Sequence, residues 1–230
     1  MFPHFEERLS DSPFVERIWS TQSEDAGSFT SISTVFWSMV VAKRRGRITI
    51  SLHGPETGAT CKDFPDEAEW FGITFKLGTF VSDILPGSLI DGLIVLPEMS
   101  GRSFWLRHSA WQFPNYENAD TFVDRLVRAG ILAHEPVATG VHQGQSQSLS
   151  LRAVQYRFMR STGLSQRTIR QIERARYAAS LLKQGISILD TVYEAGYSDQ
   201  PHLTRSLKHF IGLTPAEIPS TPIIALHPSA

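Results

Sequence analysis

Between Ser150 and Ile218 the chain is punctuated by helix starts and helix stops at a density that leaves few folds open. Ser150 stands before LRAVQYRFMRST, and Gly163 follows it. Ser165 precedes QRTIRQIERARYAASLLKQ, and Gly185 closes that segment. Ser187, with Asp190 three residues on, has the form of a capping box for ILDTVYEA, which stops at Gly196. Ser198 or Asp199 can start QPHLTRSLKHFI, and Gly212 ends it. Thr214, Pro215 and Glu217 predict one more start. Ser, Thr and Asp accept the unpaired N–H groups of a first helical turn, and glycine supplies the left-handed residue after a last turn. The pattern predicts short, closely packed helices.

The preceding sequence has a different period. From Ser28 to Leu106, SFTSISTVFWSMVVA, RITISLHG, EWFGITFKLG and DGLIVLPEMSG are β-branched and aromatic runs separated by Gly and Pro. Short strands at this spacing predict a sandwich or barrel. NADTFVDRLVRAGILA, residues 118–133, shows helical spacing of Phe122, Leu126 and Ala129, with Asn118 or Asp120 as N-cap. Residues 134–148 are polar and predict a link holding at most one short helix, and 219–230 read as a tail. The fold class is therefore α+β: a β-rich domain over 1–117, a helix and linker over 118–148, and a helical domain over 149–218.

Charge divides along the same line. Residues 1–149 carry 12 Lys and Arg against 18 Asp and Glu, and residues 150–230 carry 10 against 5. A basic helical end on an acidic chain suits nucleic acid. No apolar run is long enough for a transmembrane helix, and the start of the chain lacks the apolar core of a secretory signal. With Cys61 as the single cysteine, no internal disulfide forms, and a cytoplasmic location is expected.

Two helix–turn–helix candidates emerge. In the second, Leu203, Leu207 and Phe210 fall at i, i+4 and i+7 on one face; Pro201, Arg205 and Lys208 lie opposite, with Gln200 and Thr204 on a flank. Gln pairs with adenine and Arg with guanine in the major groove, and the first turns of a recognition helix are the part that meets base edges. In the first candidate, Leu151, Val154 and Phe158 form the apolar face, while Arg152, Tyr156 and Arg160 point away with Gln155 beside them. The helix between them, residues 166–184, spans about 28 Å, near the ~34 Å between successive major grooves on one side of B-DNA. Arg167, Arg170, Arg174, Arg176 and Lys183 lie along it.

Residues 149–218, through LSLRAVQYRFMRSTGLS, TIRQIERARYAASLLKQG and SILDTVYEAGYSDQPHLTRSLKHFIGLTPAEI, resemble the C-terminal DNA-binding domain of AraC/XylS-type bacterial transcription regulators. The resemblance implies base reading by Arg152, Gln155 and Tyr156 in one helix and by Gln200, Pro201, Thr204 and Arg205 in the other. Arg160, His202 and Lys208, beside these residues, are the candidates for phosphate contacts. Members often carry Arg where this chain has Tyr156, which favours stacking or a hydroxyl-to-phosphate contact there. The segment before Ser150 is shorter and more polar than the helix usual in the family, as if the first helix–turn–helix were truncated. SPFVERIW and FGITFKLG resemble the cupin-like sensor domain often fused to this module. The family implies double-stranded DNA as partner, a small-molecule effector, a homodimer, and RNA polymerase where the protein activates; it implies no cofactor, no membrane and no enzymatic activity.

The alternative is a cupin-type binder or enzyme whose helices serve assembly. Cupin metal sites use a His-x-His pair with Glu and a later His; His53 and Glu56 are present without the second His, and His108 lies apart, so no metal site is expected. Cys61 has no base at a recognisable spacing. Trp37, Trp70, Trp105 and Trp111 are candidates for an effector pocket but fit a core as well. KRRGR, residues 43–47, predicts a solvated hairpin turn.

Overall fold

The structure, a computed structural model, describes residues 4–142, 144–145 and 149–221. The strands and helices of its N-terminal half are β1 (His4–Arg8), β2 (Val15–Ser23), β3 (Gly27–Ser31), β4 (Ser38–Arg44), β5 (Arg47–His53), β6 (Thr60–Phe64), β7 (Ala68–Phe75) and β8 (Thr79–Val81). A 3₁₀ turn (Pro86–Leu89), β9 (Leu93–Val95), β10 (Glu98–Ser100), β11 (Ser103–Leu106) and β12 (Ser109–Gln112) follow. Then come α1 (Ala119–Arg128), β13 (Leu132–His134), α2 (Pro136–His142), α3 (Leu151–Thr162), α4 (Gln166–Lys183), α5 (Ile188–Glu194) and α6 (Gln200–Phe210). A β-rich N-terminal region thus precedes a helical C-terminal region. The tail beyond 221 lies outside the described residues.

The chain forms two compact units, and they do not follow sequence order. The first holds residues 1–27, 36–55 and 64–165; the second holds 28–35, 56–63 and 166–230. In the first, six strands pair in the order β1-β2-β7-β4-β5-β9. One face of this sheet carries Ile18, Met39, Ile50, Leu52, Ile73 and Phe75, which share a core with Phe104 and Trp111 of β11–β12 and with Phe122, Val123 and Leu126 of α1. Burial of these side chains drives the packing of α1 and the β10-β11-β12 sheet. Across the β2–β7 pair Trp19 faces Gly72, and its indole lies where any Cβ on Gly72 would fall, 2.1 Å from Trp19 Cε2.

KRRGR is the β4–β5 hairpin as expected: Arg44 pairs with Arg47, and Arg45 and Gly46 take φ of 49° and 79°. Positive φ at both central residues is the type I′ turn that matches strand twist. Arg44 is ion-paired with Asp66, and the Arg44 hydrogen bond holds the Asp66 carboxyl below its ordinary pKa.

Several expectations need correction. The helix of 118–133 ends at Arg128, because Gly130 takes φ of 66° and Leu132–His134 turn into a strand beside β8. Asn118 is the N-cap by position, its carbonyl accepting from the Phe122 N–H at 2.9 Å, but its side chain does not bond the first turn, and Asp120 lies inside the helix. Asn118 Oδ1 accepts from the Asn115 N–H at 2.9 Å, and Asp120 binds Ser10 Oγ at 2.5 Å and Arg8 at 2.8 Å. The run 28–42 is two elements, β3 and β4, lying in different units. Strands β1 and β2 extend the β-rich region upstream of Ser28. Thr214 and Glu217 do form a reciprocal pair, Glu217 Oε2 accepting from the Thr214 N–H at 2.7 Å, but only turns follow.

The Gly72 contact makes a quantitative expectation. Gly72→Ala drives a methyl into the Trp19 ring and lowers stability by about 1–3 kcal/mol, read as a lower urea midpoint with an unchanged slope.

Candidate nucleic-acid interface

The geometry of α6 follows from its ends. Asp199 sits in extended conformation before the helix, and its Oδ1 accepts from the His202 N–H at 2.7 Å. That hydrogen bond is the leading reason the Asp199 carboxyl lies below its ordinary pKa. Pro201 stands in the first turn, where a missing N–H costs no helical bond. Before the cap, Gly196 takes φ of 68°, its N–H donating to Tyr193 O at 3.1 Å and the Tyr197 N–H to Val192 O at 2.8 Å. This is a Schellman termination of α5, which delivers the chain into the turn with Tyr197 pointing inward. Tyr197 is buried; its hydroxyl is 2.8 Å from Ser206 Oγ of α6, and the Arg174 guanidinium of α4 lies 4.4 Å from its ring centre. One aromatic side chain therefore orients α6 against α4.

Leu203, Leu207 and Phe210 are buried, as their spacing predicts. Gln200, Pro201, Arg205 and Lys208 are exposed, and Thr204 is half-buried. The ring of His202 is half-buried, with Nδ1 3.1 Å from Ser198 Oγ and an edge-on contact to Tyr197 at 5.1 Å. Its sequence assignment to phosphate thus competes with a local role in the turn.

In α3 Ser150 caps the first turn, its Oγ accepting from the Ala153 N–H at 3.3 Å, and Gly163 closes the helix at φ of 77°. Val154 and Phe158 are buried, whereas Leu151, expected on the same face, is 83% exposed. Arg152, Gln155, Tyr156 and Arg160 are all exposed. Leu189 of α5 is also exposed, whereas Thr191 and Ala195 are buried. The polar segment before Ser150 holds one short helix, α2, as expected; residues 143 and 146–148 lie outside the described residues.

Of the arginines along α4, Arg167 and Arg170 are exposed. Arg174 is committed to Tyr197. Arg176 is buried and donates to Ser33 O at 3.3 Å. Lys183 donates to Thr221 O at 2.5 Å.

Residues 145–219 match a family model described as a helix-turn-helix domain. The match takes in α3, α4, α5 and α6. Comparison with curated proteins gives no match. Among solved structures, ToxT from Vibrio cholerae aligns at 12% identity and a TM-score of 0.39, over 93% of this chain and 97% of that one. A second ToxT structure, from Vibrio cholerae O395, aligns at 12% identity and 0.40, over 95% and 99%. An unsaturated fatty acid bound ToxT from Vibrio cholerae strain SCE256 aligns at 11% and 0.37, over 93% and 94%.

Within the first unit a cleft of about 460 Å³ opens beside the β-sheet, with Val41, Ile48, Trp70, Phe71, Phe113 and Tyr116 among its lining residues. Of the four tryptophans singled out by sequence, Trp70 lines it, Trp37 and Trp111 are core, and Trp105 is 40% exposed. His53 and Glu56 have other occupations: His53 Nε2 is 2.8 Å from Ser51 Oγ, and Glu56 accepts from Ser31 Oγ at 2.6 Å and pairs with Lys62. Cys61 is exposed on β6. Among the described residues no helix is long and apolar enough to cross a membrane.

The Asp199 cap of α6 makes a pH expectation. Because the folded Asp199 pKa is depressed, its contribution is full above the unfolded carboxylate value near ~4 and is lost as pH falls through the lower folded value. Asp199→Asn, which keeps an acceptor, should retain α6 at neutral pH, whereas Asp199→Ala should fray its first turn. Faster exchange of the His202 amide in the alanine variant alone is the readout.

Proposed function

We propose that the protein is a sequence-specific transcription regulator whose AraC-type domain reads double-stranded DNA through α3 and α6. The observation that carries this reading is that both helices bury an apolar stripe and leave the expected base-reading side chains on exposed or flanking positions. Arg152, Gln155 and Tyr156 serve one half-site; Gln200, Pro201, Thr204 and Arg205 serve the other. Arg160, His202 and Lys208 contact phosphates. Helix α4, with 18 residues, is about 27 Å long, which suits two reading helices meeting successive major grooves.

The β-rich unit acts as the sensor. Its cleft, apolar in the middle with the Lys43–Glu69 ion pair among its lining residues at 3.2 Å, suits a small effector with an apolar body and a polar end. The protein works in the cytoplasm by binding rather than by catalysis, as a homodimer where its operator repeats, and through RNA polymerase where it activates.

The test is fluorescence anisotropy on DNA from upstream of the gene, across a salt series. Arg205→Ala should weaken the specific complex by about 1–3 kcal/mol and leave random DNA nearly unaffected. Lys208→Ala should weaken both and reduce the slope of log K against log salt by about 1. Equal losses from Arg205→Ala on both DNAs would contradict base reading.

A further inference from the structure

The second compact unit contains more than the helices α4 to α6. Residues 28–35 and 56–63, carried by β3 and β6 and extended by a bridge between Thr34 and Glu56, form a paired ribbon within it. A helix leaves its last carbonyls without intrahelical donors, and these need a partner. In α6 the Leu207 carbonyl takes the N–H groups of Ile211 at 2.8 Å and Gly212 at 3.0 Å. Two of the next three carbonyls are met by the ribbon: Ala59 N–H donates to His209 O, and Ser33 N–H to Phe210 O, each at 2.8 Å. The Ser33 peptide is also held on its other side, since its carbonyl accepts from Arg176 of α4. Gly212 fits under the ribbon at φ of 81°; a Cβ there would lie 2.8 Å from Thr30 Cγ2 and 3.2 Å from Ala59 Cβ.

We infer that this ribbon, some 150 residues upstream of α6 in the chain, is the C-terminal cap of α6 and sets the orientation in which it presents Gln200 and Arg205. Ala59, Ser33 and Arg176 are then positioning residues for DNA reading, although none of them lies on the reading face. The two ribbon strands continue along the chain into β2, β4, β5 and β7 of the β-rich sheet. The part of the chain proposed to sense an effector therefore has a covalent handle on the second reading helix. That consequence rests on the regulator reading above; the capping role does not.

The experiment is amide hydrogen exchange on the full-length chain without DNA, followed by DNA binding. The Ser33 and Ala59 amides should open together with the amides of Leu207–Ile211, at the same rate and with the same denaturant dependence. Ala59→Pro removes one capping N–H and should speed exchange of Leu207–Ile211 by roughly tenfold, leaving β4, β5 and β7 unchanged. Ala59→Ser, which keeps the N–H, should behave as the parent. Ser33 and Ala59 amides exchanging as a free loop, or with the sheet strands, would overturn the capping role in the unsubstituted protein.

The second arm measures, on a selected site, the penalty for changing base pairs in each half. Ala59→Pro should lose discrimination at least several-fold in the half read by α6 and keep it in the half read by α3. Unchanged discrimination in both halves despite faster exchange would overturn the orienting role. If the parent protein binds no DNA specifically, the regulator reading fails, and the exchange result still decides the cap.

Discussion

The satisfaction of the two ends of α6 is the constraint on which the DNA-binding unit depends. An isolated helix of eleven residues is marginal in water, because few residues are left to offset the cost of nucleation. Here the N-terminal end is closed by Asp199, and the turn before it is fixed by Gly196 and by Tyr197 wedged between Arg174 and Ser206. The C-terminal end is closed by peptide groups of the distant ribbon. With both ends held and Leu203 and Leu207 fully buried, the rotation of the helix about its axis is determined. The exposed positions of Gln200 and Arg205 are a consequence of that rotation, and so is any base recognition they perform.

Helix α3 is held by different means. Helix α3 belongs to the β-rich unit, where Gly163 approaches the backbone of the 3₁₀ turn so closely that a Cβ would lie 2.9 Å from the Pro86 carbonyl oxygen. The long side chain of Arg157 reaches within 3.9 Å of Glu135 just before α2. Helices α3 and α6 thus each take their orientation partly from residues of the N-terminal half of the chain. On the regulator reading proposed above, the ribbon at α6 and the Gly163–Pro86 approach at α3 would let the β-rich half act on DNA affinity.

Local chemistry in the sequence was the readable part. The starts at Ser150, Ser187 and Asp199 and the stops at Gly163, Gly185, Gly196 and Gly212 all lie where the spacing of Ser, Asp and Gly placed them, because a cap acts within four residues of itself. The stripe Leu203–Leu207–Phe210 was readable for the same reason. Strand β2 was not, since VERIWSTQS mixes charged and polar residues with its apolar ones, and Arg17 is buried there in an ion pair with Glu7. That burial pulls the Arg17 pKa down to about 10, an arrangement no periodicity reveals. Leu151 misled the helical wheel because a helix need not bury every apolar position at its N-terminal end. The ribbon was the least legible feature. Its residues are ordinary strand formers, and their function depends on carbonyls about 150 positions away.

The central claim is that this chain reads DNA through two helices, each meeting its own half-site. Selection of bound fragments from a random DNA pool by the full-length protein tests it most directly. Reading by both helices predicts enrichment of a site with two conserved blocks whose centres lie about one helical turn, ~10 base pairs, apart. A pool that remains unenriched after repeated rounds would contradict sequence-specific recognition, and a single conserved block would contradict the participation of both helices.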